Sequence, residues 1–173
     1  MSILDLVIAP EDILFQKTKP VENVDEDIKT LVSDMFESLY HYHGAGLAAP
    51  QVGSDQRLFV IHLPKDMDPN EPKLACINPE IIYASEEEKE MAEGCLSIPI
   101  PERTKVKRPA DIILKYLDEE GRQQKVEASG WLSVAIQHEL DHLNGITLLE
   151  HMSKMKRDRA IKKLLKYKKI RKL

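Results

Sequence analysis

The 173-residue sequence predicts a single-domain α+β fold, with mixed or antiparallel sheets packed around a central helix and a basic helix at the C-terminus. Three observations predict it. Segments 25–42 and 129–144 carry apolar residues at helical spacing, runs of strand composition lie between them, and 153–173 is a lysine-rich stretch with a short apolar stripe. With 42% of residues hydrophobic and 31% charged, the chain has enough apolar surface for one real core, which excludes disorder. No segment recurs, which excludes a repeat array.

The elements follow in order. In 25–42, Ile28, Leu31, Val32, Met35, Leu39 and Tyr42 mark one helix face, with Asn23 or Asp25 as N-cap and Gly44 as stop. A Gly-rich loop follows, then RLFVIHL (57–63), an apolar run of strand composition, and the loop 64–72. LACINPEIIYA (74–84) reads as a strand broken at Pro79, and ASEEEKEMAE (84–93) as a charged connection. DIILKYL (111–117) and QQKVEA (123–128) flank DEEG, a hairpin turn. Residues 129–144 form the second helix, with Gly145 in the stop position. The basic tail, 153–173, is the third, docked by Ala160, Ile161, Leu164 and Leu165.

Composition narrows the setting. No stretch approaches ~18 consecutive apolar residues, so no membrane span is expected. Asp5 sits where a secretory leader carries positive charge, and two cysteines make no disulfide scaffold, so a reducing cytoplasm is expected. The net charge of −4 hides a split: eleven Lys and Arg against one acid in 153–173 leave 14 bases and 28 acids elsewhere. An acidic body with a basic tail points to separate tasks.

The strongest local signal is His138-Glu139-Leu140-Asp141-His142. Residues four apart stack on one helix face, so both imidazoles can hold one metal ion, and Glu139 is placed to act as general base toward a water there. Trp131, Ala135, His138 and His142 form one stripe, while Leu132, Ile136, Leu140 and Leu143 face the core. Unliganded imidazoles beside apolar residues are costly, so a further ligand is expected elsewhere in the chain. Cys95, in Glu93-Gly94-Cys95-Leu96-Ser97, offers a thiolate. Cys76, its rival, has the neighbours of a core strand residue. In Gly44-Ala45-Gly46-Leu47-Ala48-Ala49-Pro50-Gln51, small residues admit close backbone approach and Gln51 adds an amide, although a helix-ending turn explains the same residues.

Together GAGLAAPQ (44–51), EGCLS (93–97) and QHELDHLNG (137–145), in this order, resemble the peptide deformylase family. The resemblance implies removal of the formyl group from the formyl-methionine that begins new polypeptides. It implies that Cys95, His138 and His142 bind one divalent metal, Fe2+ in the cell, with Zn2+, Ni2+ or Co2+ able to take the same ligands. It assigns Glu139 as general acid/base, with Gln51 and the Leu96 N–H as donors to the developing oxyanion. Ala45, Gly46, Glu93, Gly94 and Trp131 are expected about the substrate, and Arg108 is matched to the arginine that pairs with Glu93. C-terminal helices of the family dock on the ribosome, which makes the exit-tunnel region the expected partner of the basic tail. A metalloprotease shares His-Glu-x-x-His but needs no EGCLS segment. A binding-only factor with a relic site would not need a complete set of ligands and base.

Overall fold

The computed structural model describes residues 2–172; Met1 and Leu173, the ends of the expected domain and tail, lie outside the described residues. Helix α1 is Glu26–His41, α2 is Gly130–Leu143 and α3 is Lys154–Arg171. The strands are β1 Gly46–Ala48, β2 Leu58–His62, β3 Lys73–Ala84, β4 Glu88–Glu93, β5 Thr104–Pro109, β6 Ile112–Leu117 and β7 Gln123–Ala128. Five of them form a sheet in the order β1-β2-β3-β6-β7, and β4 pairs with β5 separately. Every strand ladder is antiparallel.

The larger sheet lies between two helices, and β2 shows why the sequence takes this form. Phe59 and Ile61 pack with Leu132, Ile136 and Leu143 of α2, while Leu58 and Val60 pack with Val32, Met35 and Leu39 of α1. A strand buried on both faces reads as a continuous apolar run rather than an alternation. Each fully buried Leu, Ile or Phe contributes roughly 1.5–3 kcal/mol, so this sandwich supplies most of the core's cohesion.

Local chemistry sets the ends. Asp25, not Asn23, caps α1, its carboxylate accepting the Ile28 N–H at 3.0 Å. The break expected at Pro79 is a bulge inside one strand: pairing with β6 shifts between Ile77 and Glu80. There Asn78 has a φ of 50° and its amide exchanges two 2.8 Å hydrogen bonds with the Val21 backbone. In the 118–121 turn the Asp118 carboxylate accepts the Glu120 and Arg122 N–H groups.

Two expectations change. The charged connection 84–93 contains β4, whose partner β5 lies in a segment to which the sequence analysis gave no element. Its side chains are mostly exposed and charged, so no apolar alternation marks it. Leu165 is more than half exposed, and α3 docks through Ala160 and Leu164 with Ile161 and Tyr167 at the edge.

The end of α2 is fixed by Gly145. It has a φ of 74°, and a Cβ there would lie 2.7 Å from the Phe15 carbonyl oxygen. Leu143, just before it, accepts hydrogen bonds at 2.9 Å from both the Thr18 backbone N–H and its hydroxyl. Gly145→Ala therefore combines an unfavourable backbone region with a backbone clash. We expect a loss of at least about 2 kcal/mol, read as a fall of about 4–8 °C in Tm by calorimetry.

Candidate metal centre

The histidines of α2 lie on the side that β4, β5 and the 93–97 segment cover. His138 and His142 are both buried, with ring centroids 5.1 Å apart. The 93–97 segment brings Cys95 to them, its Sγ 3.2 Å from His142 Nε2. Ligand atoms of Cys95, His138 and His142 all lie within 4.8 Å of one another, the one such cluster among the described residues. Cys76, by contrast, is wholly buried in β3, and burial pushes its thiol well above the ordinary range.

This donor set fits a divalent ion. One thiolate and two imidazoles are the ligands a borderline metal prefers. His138 Nδ1 is 2.8 Å from Glu93 Oε2, which leaves Nε2 for the metal and fixes the ring's orientation. Glu93 in turn accepts from Arg108 Nε at 2.7 Å and from a terminal guanidinium nitrogen at 3.0 Å, the pairing expected from the sequence. Arg108 reaches on to Asp141 at 2.9 Å, and Asp141 to His151 Nε2 at 3.0 Å. Burial holds His142 well below the usual imidazole range, with the charges of His138 and Arg108 acting the same way. A ligand histidine must be neutral, so this suits its role. Burial also lowers His138, but its hydrogen bonds with Cys95 and Glu93 outweigh burial and hold it high. A bound cation reverses that balance and displaces the proton.

Beside the cluster is a cavity of about 350 Å³. Glu139 faces it from α2, and burial pushes its carboxyl up to about 7. One of its oxygens, Oε2, is buried with no hydrogen-bond partner. The other explains the glycine opposite: a Cβ on Gly46 would lie 2.3 Å from Glu139 Oε1. Within 44–51, Gly46–Ala48 thus form β1, an edge strand that passes against the carboxylate, and a single 3-10 turn, Ala49–Val52, follows it. Gln51 is buried; its amide oxygen accepts the Ala48 N–H at 2.8 Å, and its Nε2 lies 3.2 Å from Ser97 Oγ and 3.5 Å from Cys95 Sγ.

Cys76 apart, the residues singled out as ligands, base, oxyanion donors and substrate contacts are brought together here. Ala45, Gly46, Gln51, Glu93, Gly94, Leu96, Trp131 and Glu139 line the cavity with Cys95 and His138, while His142 lies behind them against Cys95. Glu93 has both oxygens committed to Arg108 and His138. Met67, Val134 and Arg103 also line the cavity, and reading the sequence missed them. Val134 stands four residues before His138 and was findable from that spacing. Nothing in loop 64–72 marks Met67.

Comparison with known proteins agrees with this geometry. The model of the polypeptide deformylase family matches residues 3–158. A peptide deformylase of Wolbachia pipientis wMel is 47% identical, with 98% of each chain covered. One of Rhizobium meliloti is 44% identical, covering 99% of this chain and 97% of its own. The crystal structure of peptide deformylase from Ehrlichia chaffeensis superposes with a TM-score of 0.93 at 38% identity, covering 99% of this chain and 100% of that one.

The carboxylate behind His138 generates a prediction. Glu93→Gln keeps the shape but removes the charge that orients the imidazole and neutralises Arg108. Zn2+ affinity, measured by competition with a chromogenic chelator, should fall about 10–100-fold. An affinity equal to that of the unsubstituted protein would remove Glu93 from the metal site's support.

Proposed function

This chain belongs to the peptide deformylase family, and from that premise we propose how its own residues perform the family's reaction. It is a metal-dependent hydrolase that removes the N-formyl group from newly made polypeptides and releases formate. The observation that carries the assignment of roles is the meeting of Cys95, His138 and His142 beside a cavity that Glu139 faces across Gly46.

In this reading Cys95, His138 and His142 hold one divalent ion, Fe2+ in the cell, and Zn2+, Ni2+ or Co2+ can replace it. A bound ion there supplies Lewis-acid chemistry and makes water acidic near neutral pH. Glu139 takes a proton from the attacking water and returns it to the departing amine as the formyl C–N bond breaks. A carboxyl near 7 is matched to both directions of transfer. The Leu96 N–H and Gln51 Nε2 donate to the formyl oxygen as charge develops on it. The Ala48 N–H grips the other end of the Gln51 amide and so aims it. Removing one such donor costs ~10²–10³ in rate. Ala45, Gly46 and Gly94 offer backbone to the substrate, while Trp131 and Met67 wall the space for its first side chain.

The first test is formate release from formyl-Met-Ala-Ser beside the unformylated peptide. Peptide-bond cleavage instead would favour a metalloprotease. Two substitutions separate metal from base. Glu139→Ala should keep its metal by elemental analysis and lose at least ~10² in kcat. Gly46→Ala, by displacing the same carboxylate, should lose a comparable amount with metal retained.

We assign the setting to the bacterial cytoplasm, where formylated chains emerge. No helix is long and apolar enough to cross a membrane. Helix α3 is the element we propose meets the ribosome near the exit tunnel. Three of its cations pair with the body: Arg157 with Glu150, Lys163 with Glu102 and Lys168 with Glu11. Lys162, Lys166 and Lys169 face outward and have no ion pair among the described residues. Charge reversal of these three should abolish co-sedimentation with ribosomes at low salt and leave hydrolysis of a short formyl peptide within about twofold, because counterion release dominates such binding. Undiminished co-sedimentation would free α3 of this role.

A further inference from the structure

Helix α1 ends in a turn that asks for glycine twice, and the sequence supplies it once. Tyr42 is the C-cap, its N–H bonded to the Ser38 carbonyl at 2.9 Å. His43 follows in the left-handed conformation, with a φ of 54°. Its N–H reaches the Tyr40 carbonyl at 3.2 Å, and the Gly44 N–H reaches the Leu39 carbonyl at 3.0 Å. The position directly after the cap is the one where glycine is usual, because it has no Cβ to crowd the backbone. Gly44 is required for a different reason: a Cβ there would lie 2.8 Å from both Leu39 Cδ1 and Leu96 Cδ1. The stop expected at Gly44 therefore falls one residue earlier, on a residue that carries a side chain.

That side chain stands where it can be used. Non-glycine residues with positive φ among the described residues are His43, Glu71, Asn78 and Lys172, and of these only His43 lines the catalytic cavity. Asn78 is held by its amide bonds to Val21, which explain its conformation. The His43 imidazole is exposed and makes no hydrogen bond, ion pair or ring contact among the described residues, so nothing in the fold explains it. Strained backbone that the fold does not need points to use at a site.

Position along the chain says which part of a substrate it meets. Gly46 faces Glu139, and His43 lies three residues before it on the same wall, at most ~10 Å away along the backbone. An extended peptide advances by the same ~3.3–3.6 Å per residue, so with its formyl group at the metal centre its second and third residues come level with His43. Newly made polypeptides differ in side chains at those places but share a backbone, with one N–H and one C=O per residue. A neutral imidazole carries one donor and one acceptor and can meet either.

We propose that His43 is a substrate contact, hydrogen-bonded to the peptide backbone of the residues that follow the formylated one. The inference rests on the reading of Cys95, His138, His142 and Glu139 as the hydrolytic centre and extends the site outward from it. The left-handed backbone is retained at this position because glycine, which would suit the turn better, has no group to offer the peptide.

The test sets stability against substrate use in the metal-loaded, full-length protein. His43→Gly should raise Tm by about 2 °C, since it relieves the backbone at the cap. It should also raise KM for formyl-Met-Ala-Ser about threefold to tenfold, the worth of one hydrogen bond, with kcat within about twofold. Formyl-methioninamide lacks the later residues, and its hydrolysis should not share this loss. His43→Ala should raise KM equally without the gain in Tm, whereas His43→Asn, which tolerates the left-handed region and keeps a donor and an acceptor, should restore KM. The rise should be alike for formyl-Met-Ala-Lys and formyl-Met-Ala-Asp; a rise confined to one would overturn a backbone contact in favour of a side-chain one. An unchanged KM in His43→Gly, or an equal loss with formyl-methioninamide, would overturn the inference while leaving the hydrolytic centre as read. Absence of formate release by the unsubstituted protein would fell that reading and this inference together.

Discussion

Arg108 is buried between two carboxylates that belong to different parts of the fold. Glu93 ends β4, Asp141 lies in the last turn of α2, and Arg108 itself is in β5, so one guanidinium fastens the two-stranded sheet to the helix that carries the histidines. Burying such charges is costly, and the cost is offset only when geometry and hydrogen bonding are nearly complete. Here they are: two oxygens of Glu93 and one of Asp141 meet three guanidinium nitrogens. Cys95 stands two residues beyond Glu93. The clamp therefore delivers the thiolate to His142, and the carboxylate it holds orients His138 from behind.

A second constraint works from the opposite side of the cavity. Glu139 is useful as a proton carrier because it is buried, yet burial of a carboxylate needs backbone close by and little water. Strand β1 provides this only by having no side chain at Gly46. The same strand pairs with β2, which is anchored on both faces by the core, so the approach to Glu139 has the stiffness of the sheet behind it. Catalytic geometry and core packing are thus set by the same short strand.

How much of this was legible in the sequence depends on whether burial left a periodic trace. Helices α1 and α2, strand β2 and the β6–β7 hairpin have strong apolar patterns and stand where the sequence places them. Strand β4 exposes Glu88, Lys89 and Glu90 on both of its faces, and its pairing with β5 arises from backbone hydrogen bonds and the Arg108 clamp, neither of which leaves a hydropathy signal. For β1 the informative residue is an absence, a missing Cβ, which reads from the sequence equally well as a turn. The two histidines and Glu139 were visible from helical spacing alone. The choice of Cys95 over Cys76 came from the surrounding EGCLS motif, and Arg108 from the same resemblance, whereas Met67 and Arg103 reach the site by tertiary folding that no local pattern records.

The split of charge along the chain has a structural meaning that the net value conceals. Leu164 and Ala160 bury the inner side of α3, and that apolar contact holds the helix to the body. The exposed ion pairs with Glu11, Glu102 and Glu150 add little individually, but they lie on both flanks of the buried stripe and so fix the helix's rotation. With rotation fixed, Lys162, Lys166 and Lys169 are held on the side of the helix away from the body. The acidic body thereby does more than balance the tail. It selects which lysines are neutralised, and by elimination which face of α3 stays positive.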